Sequence, residues 1–77
     1  MSEQQQYSMV IEWSPEDEAY VVSFPEWAST GRYFAHTHGA TYAEAVAKGE
    51  DVLADLVELA REQGDPLPAP RVYAASA

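Results

Sequence analysis

The sequence predicts an α+β fold: a three-stranded antiparallel sheet covered on one face by one long helix, followed by a short C-terminal edge strand. Three observations carry this. Before residue 39, apolar residues alternate in three short runs, the period of strands with one buried face. Between Gly39 and Gly64 they recur at spacings of three and four, the period of a helix with one apolar stripe. After it, Asp65-Pro66-Leu67-Pro68-Ala69-Pro70 alternates proline, which excludes a helix and lacks the donors of a central strand.

The first run, Tyr7-Ser8-Met9-Val10-Ile11-Glu12-Trp13, sets Tyr7, Met9, Ile11 and Trp13 on one side of a strand. Ser14-Pro15-Glu16-Asp17-Glu18 reads as a turn, with Pro15 fixing φ and the acidic residues facing water. The contiguous carboxylates lack the alternating spacing and the glycine of a calcium loop. Ala19-Tyr20-Val21-Val22-Ser23-Phe24 is the second strand, paired with the first as a hairpin. Tyr20, Val22 and Phe24 share a face and Val21 takes the other. Pro25 ends this strand, because proline cannot donate to a ladder. Glu26 to Gly31 reads as a connecting loop, in which Trp27 either tucks over the core edge, the more common outcome, or awaits a partner.

Arg32-Tyr33-Phe34-Ala35-His36-Thr37-His38 is the third strand, and Gly39 permits a tight turn into the helix. Thr41-Tyr42-Ala43-Glu44 is a capping box: the Thr41 hydroxyl accepts from the Glu44 amide, and the Glu44 carboxylate reaches back to the Thr41 amide. The apolar stripe comprises Tyr42, Ala45, Val46, Gly49, Val52, Leu53, Leu56, Leu59, Ala60 and Gln63, and Gly64 supplies the left-handed stop. Glu44, Lys48, Asp51, Asp55, Glu58 and Glu62 form the wet face. Arg71-Val72-Tyr73-Ala74 is the expected edge strand. The chain is thus read as one domain over residues 1–77, disordered at 1–6 and 74–77, with no C-terminal DNA-binding domain.

A domain of 77 residues buries only about 60% of the surface its unfolded chain exposes, and without cysteine it has neither disulfides nor a thiolate zinc site. Oligomerisation is the usual remaining way to bury apolar area. No run approaches the length of a bilayer span, and the polar first residues are no signal peptide; a soluble, cytoplasmic protein is expected. Thirteen acidic residues against four basic ones give a formal charge of −9. The separated Arg32, Lys48, Arg61 and Arg71 make no phosphate-binding patch, so direct nucleic-acid binding is not expected. A basic protein partner is attractive instead, while acidity that serves only solubility is the blander reading.

Catalytic patterns are scarce. There is no cysteine nucleophile, no Gly-x-Ser-x-Gly elbow and no phosphate loop. His36 and His38, two apart on a strand, point the same way and could share a metal with a carboxylate such as Glu44. The simpler reading makes them polar residues of an open sheet face or a subunit contact. Alternation does not show which face each strand turns inward, but apolar residues stand at both parities, with Val10, Val21 and Phe34 the candidates for the uncovered side. An uncovered apolar patch is therefore expected, favouring self-association or a protein partner. No enzyme activity, cofactor or metal is expected.

Four pieces, in this order and spacing, resemble the HicB-type antitoxin domain family: Tyr7 to Ile11, Glu16 to Tyr20 running into Val21-Val22-Ser23-Phe24-Pro25-Glu26, Gly39-Ala40-Thr41-Tyr42-Ala43-Glu44-Ala45, and Gly64-Asp65-Pro66-Leu67-Pro68-Ala69-Pro70. The resemblance spans residues 6–72. Ala40 departs from it, since the family commonly carries Asp there. It implies a partial ribonuclease-H-like βββαβ fold without that enzyme's catalytic carboxylates. It also implies an antitoxin that binds a small, basic, mRNA-cleaving toxin of the HicA type. The operator-binding domain of many members is not carried over. The alternative is a stand-alone oligomeric structural or regulatory protein of the same family. Glu26, Trp27, Tyr33 and His36 are the expected partner-binding residues, chosen for charge and exposure near the end of the second strand.

Overall fold

The computed structural model describes residues 6–31, 33 and 35–74. The expectations placed on residues 1–5, on 75–77, and on Arg32 and Phe34 within the third strand lie outside the described residues.

The order is β1 (Val10–Ser14), β2 (Ala19–Ser23), α1 (Pro25–Ala28), β3 (His36–Gly39) and α2 (Tyr42–Glu62). The strands form one antiparallel sheet in the order β1-β2-β3. Ile11 pairs with Val22 and Val22 with Thr37, while Trp13 pairs with Tyr20 and Tyr20 with Gly39. These rows face α2. The intervening rows, Val10–Ser23–His36 and Glu12–Val21–His38, face away, as expected for Val10 and Val21.

The hairpin closes through Pro15 to Glu18, with Glu18 in the left-handed region at φ 52°. The Ser14 hydroxyl donates to the Asp17 carboxylate at 3.1 Å and accepts from the Asp17 N–H at 3.3 Å. Such a local bond favours the turn over a longer ladder.

α2 is cut where its caps dictate. The Thr41 hydroxyl accepts from the Glu44 N–H at 3.1 Å. The Glu44 carboxylate, however, accepts from the Ala40 N–H at 2.6 Å rather than from Thr41. The chain folds back so tightly here that a Cβ on Gly39 would stand 2.7 Å from the Ala45 Cα, which brings the amide of Ala40 over the first helical turn. At the other end Gly64, at φ 71°, donates to the Arg61 carbonyl, and Asp65 donates to that of Ala60, the paired bonds of a Schellman stop. Ala45, Gly49, Leu53, Leu56, Val57 and Ala60 are buried. The buried stripe is therefore turned slightly from the expected one: Val57 enters the core, while Leu59 and Tyr42 are exposed.

Three further boundaries differ from expectation. β1 begins at Val10 rather than Tyr7, because Tyr7 turns inward to the core and the Ser8 amide bonds a side chain. The expected loop after Phe24 opens with the short helix α1, with Pro25 at its first position, where its missing donor costs nothing. No C-terminal strand forms among the described residues. Prolines 66, 68 and 70 remove alternate donors, and the Arg71 N–H donates to the Glu26 carboxylate at 2.8 Å instead of to a ladder.

Candidate interaction surface

Two aromatic clusters stand at opposite ends of the sheet. At the Ser23 end, Trp27 packs against Tyr7 at 5.3 Å and Tyr33 at 5.5 Å between ring centroids. These rings join Phe24, Val22 and the buried face of α2 in one core. The neighbouring Glu26 carboxylate is only 3% exposed. It accepts from the Ser8 N–H at 3.1 and 3.2 Å, from the Ser8 hydroxyl at 3.0 Å and from the Arg71 N–H at 2.8 Å. Burial pushes the Glu26 carboxyl up, but the amides of Arg71, Glu26 itself and Ser8, with the Ser8 hydroxyl, outweigh that and hold it below its ordinary value. One carboxylate thus clamps residue 8 to residue 71.

Of the four residues expected to meet a partner, Glu26, Trp27 and Tyr33 are buried and His36 is exposed. The exposure on which that choice rested holds for His36 alone. The structure brings Trp27 and Tyr33 together but spends both on the core.

His36 and His38 do share the open face, with ring centroids 5.7 Å apart. His38 Nε2 lies 3.6 Å from Asp17 Oδ2. Glu44, the carboxylate considered as a third ligand, is bonded to the Ala40 amide and lies 3.9 Å from Lys48 Nζ. Among the described residues no group of three or more His, Cys, Asp or Glu is placed to hold a metal ion. Beside His36, a shallow depression of about 350 Å³ is lined by Val21, Ser23, Phe24, Ala28 and Ala35.

At the hairpin end lies the second cluster. Trp13 meets Tyr20 edge to face at 5.1 Å, and Tyr20 stacks on Tyr42 at 4.4 Å. Trp13 is 54% and Tyr42 62% exposed. The cause is geometric: Trp13 and Tyr20 form the next-to-last pair before the turn, and Tyr42 is the first residue of α2. The helix covers them with its opening turn only. Glu16, Asp17 and Glu18 in the adjoining turn are exposed as well. An aromatic wall with carboxylates at its margin is suited to binding cations with apolar stems, by charge and by attraction to the ring faces.

The sequence places Trp13 with Ile11 and Tyr20 with Val22 on shared strand faces and Tyr42 on the apolar stripe of the helix; the structure turns all three toward one side and leaves Trp13 and Tyr42 exposed. Their positions at the ends of their elements were the signal available for exposure. No helix of the described residues is long and apolar enough to cross a membrane. The chain matches no protein-family model, no curated protein and no solved structure.

Proposed function

We propose that this chain is an antitoxin-like protein-binding module that sequesters a small, basic, mRNA-cleaving toxin of the HicA type. The observation that carries the reading is an exposed aromatic strip at the sheet end whose turn carries Glu16, Asp17 and Glu18, on a chain of formal charge −9. A basic partner is drawn in by that potential, and the strip offers it the Trp and Tyr side chains that dominate interface energies. The ordered resemblance to HicB-type domains supports the same reading and supplies the identity of the partner. A partial ribonuclease-H-like ancestry for the three strands and α2 belongs to this reading too. On this view the module works in the cytoplasm, performs no chemistry and contacts no nucleic acid or membrane itself.

Co-expression with the product of an adjacent short basic reading frame tests the proposal. A stable complex and rescue of growth are expected; no complex and no rescue would overturn it.

The open face of the sheet favours a second reading, a stand-alone oligomeric structural or regulatory protein of the same family. Val10 is 41% exposed there, and the depression beside Val21 and Ala35 is lined largely by apolar residues. Homodimers or larger assemblies joined at this face would cover both. Self-association at this face belongs to the antitoxin-like reading as well, and sedimentation equilibrium tests it: a monomer at all concentrations removes the second reading and the homo-oligomer expected of the first.

A further inference from the structure

Among the described residues, the hairpin end of the covered face, the helix's outer face and the open sheet face are three broad surfaces on which a partner could settle. They differ in chemistry. The outer face of α2 carries Asp51, Asp55, Glu58 and Glu62 in water, with Leu59 alone as an exposed large apolar side chain among them, and interface cores are depleted of charge. The open sheet face is aliphatic around Val10 and Val21 and mixes the Glu12 carboxylate with His36 and His38, and its strand rows hold no Trp or Tyr on which a cationic stem could lie. The hairpin end combines both needs. Its rings are already stacked, so little side-chain freedom remains to be lost on binding.

We propose that Trp13, Tyr20 and Tyr42, with the carboxylates of Glu16 and Glu18, form a docking site for arginine and lysine side chains of a basic protein partner. The site deepens the reading of the chain as a binding module for such a protein and rests on it. A guanidinium laid on an aromatic face keeps its planar edge free to donate to a carboxylate, and the turn begins one residue pair beyond Trp13 and Tyr20. Long cationic stems would also cover the exposed parts of Trp13 and Tyr42 that α2 leaves in water. A neutral partner would cover the rings but leave the turn's carboxylates unanswered.

Two probes test the site: a short arginine-rich peptide with its glutamine-substituted counterpart, and the basic toxin of the co-expression experiment. The readout is the NMR spectrum of the intact chain, with Trp13→Leu, Tyr42→Leu and Glu16→Gln/Glu18→Gln variants whose fold is checked by circular dichroism. The arginine peptide is expected to shift the Trp13 indole resonance and the glutamine peptide to leave it unmoved. Trp13→Leu is expected to weaken binding about tenfold, the scale of a partly desolvated cation–π contact. Shifts confined to Asp51, Asp55 and Glu58, or equal affinity in Trp13→Leu, would overturn the site. The toxin separates the two claims. A complex whose footprint misses Trp13 sinks the docking site and leaves the antitoxin reading standing. A peptide seated on Trp13 with no toxin complex keeps the site and sinks the antitoxin reading.

Discussion

The two tryptophans of this chain have nearly the same aromatic company and opposite fates. Trp27, with Tyr7 and Tyr33, is 1% exposed; Trp13, with Tyr20 and Tyr42, is 54% exposed. Ring contacts at comparable centroid distances do not explain the difference. What differs is the backbone that passes over each cluster. Around Trp27 the N-terminal residues and the proline-rich tail close in, held by side chains rather than by a ladder. The Tyr7 hydroxyl donates to the Pro68 carbonyl and the Tyr33 hydroxyl to Asp65 Oδ2, both at 2.6 Å, while Glu26 holds Ser8 and Arg71. Around Trp13 there is only the first turn of α2. The lesson is that burial at the sheet ends is decided by where connecting segments are strapped, and the polar residues that strap them matter as much as the apolar ones they cover.

The largest expected effect breaks the buried cluster. Trp27→Ala should cost about 4 kcal/mol, in the range for emptying a large aromatic site in a core, and Trp13→Ala less than about 1 kcal/mol because most of its transfer energy is never realised. Urea melts of the two variants check this. Trp27 Nε1 has no hydrogen-bond partner among the described residues, so Trp27→Phe removes a buried unsatisfied donor along with part of the ring. It should lose clearly less than Trp27→Ala. Equal losses at Trp27 and Trp13 would show that the tail does not cover its end of the sheet in solution.

The clamp comes next. Glu26→Gln replaces a charged acceptor of several hydrogen bonds by an amide with one acceptor oxygen, and should cost about 2 kcal/mol at neutral pH. The sign of its pH dependence follows from the shift. The Glu26 carboxyl is lowered on folding from an ordinary value of 4.5, so its stabilisation is fully present above that value and is lost as pH falls through the lower folded one. Acid melts should therefore show a stability loss in the parent below pH 4.5 that shrinks in Glu26→Gln. Tyr33→Phe removes one neutral-donor bond to the tail and should cost about 1 kcal/mol, with faster amide exchange at Leu67 and Ala69 as the local sign.

Much of this molecule was legible because its signals are local. The capping threonine, the glycine stop and the three-and-four spacing fix α2 to within a residue or two. Alternation gave the hairpin and put Val21 and Val22 on opposite sides of it, as the register shows. Some misreadings are local, such as the short helix α1 and the Ala40 amide that Glu44 takes in place of Thr41, but those that bear on the candidate site are of longer range. Glu26 looks like a surface acid until Ser8 and Arg71, far away in the chain, converge on it. Trp27 looks like part of a loop because its cover, the tail, arrives only after the helix. Trp13 and Tyr42 keep perfect periodicity, yet periodicity gives the side of an element and not how far the opposing element extends. The expected edge strand failed for a related reason: Arg71 has an amide free for a ladder, and a buried carboxylate takes it first.

The smallest effect is also the one that most directly sharpens the contrast between the two ends. Glu18 holds φ 52°, a left-handed conformation that costs an L-residue roughly 1 to 2 kcal/mol and glycine little. Glycine's greater freedom in the unfolded chain takes back part of that difference, so Glu18→Gly should raise stability by about 0.5 kcal/mol. The same substitution deletes one of the two carboxylates assigned to the proposed cation-docking site. Thermal melts and titration with an arginine-rich peptide on one variant should thus move in opposite directions, more stable and weaker in binding, the pattern expected where a strained residue serves a site. A gain in stability with unchanged binding would place the cation-binding role on Glu16 alone, whereas a loss of stability would mean that the Glu18 side chain supports the turn in a way its backbone angle does not convey.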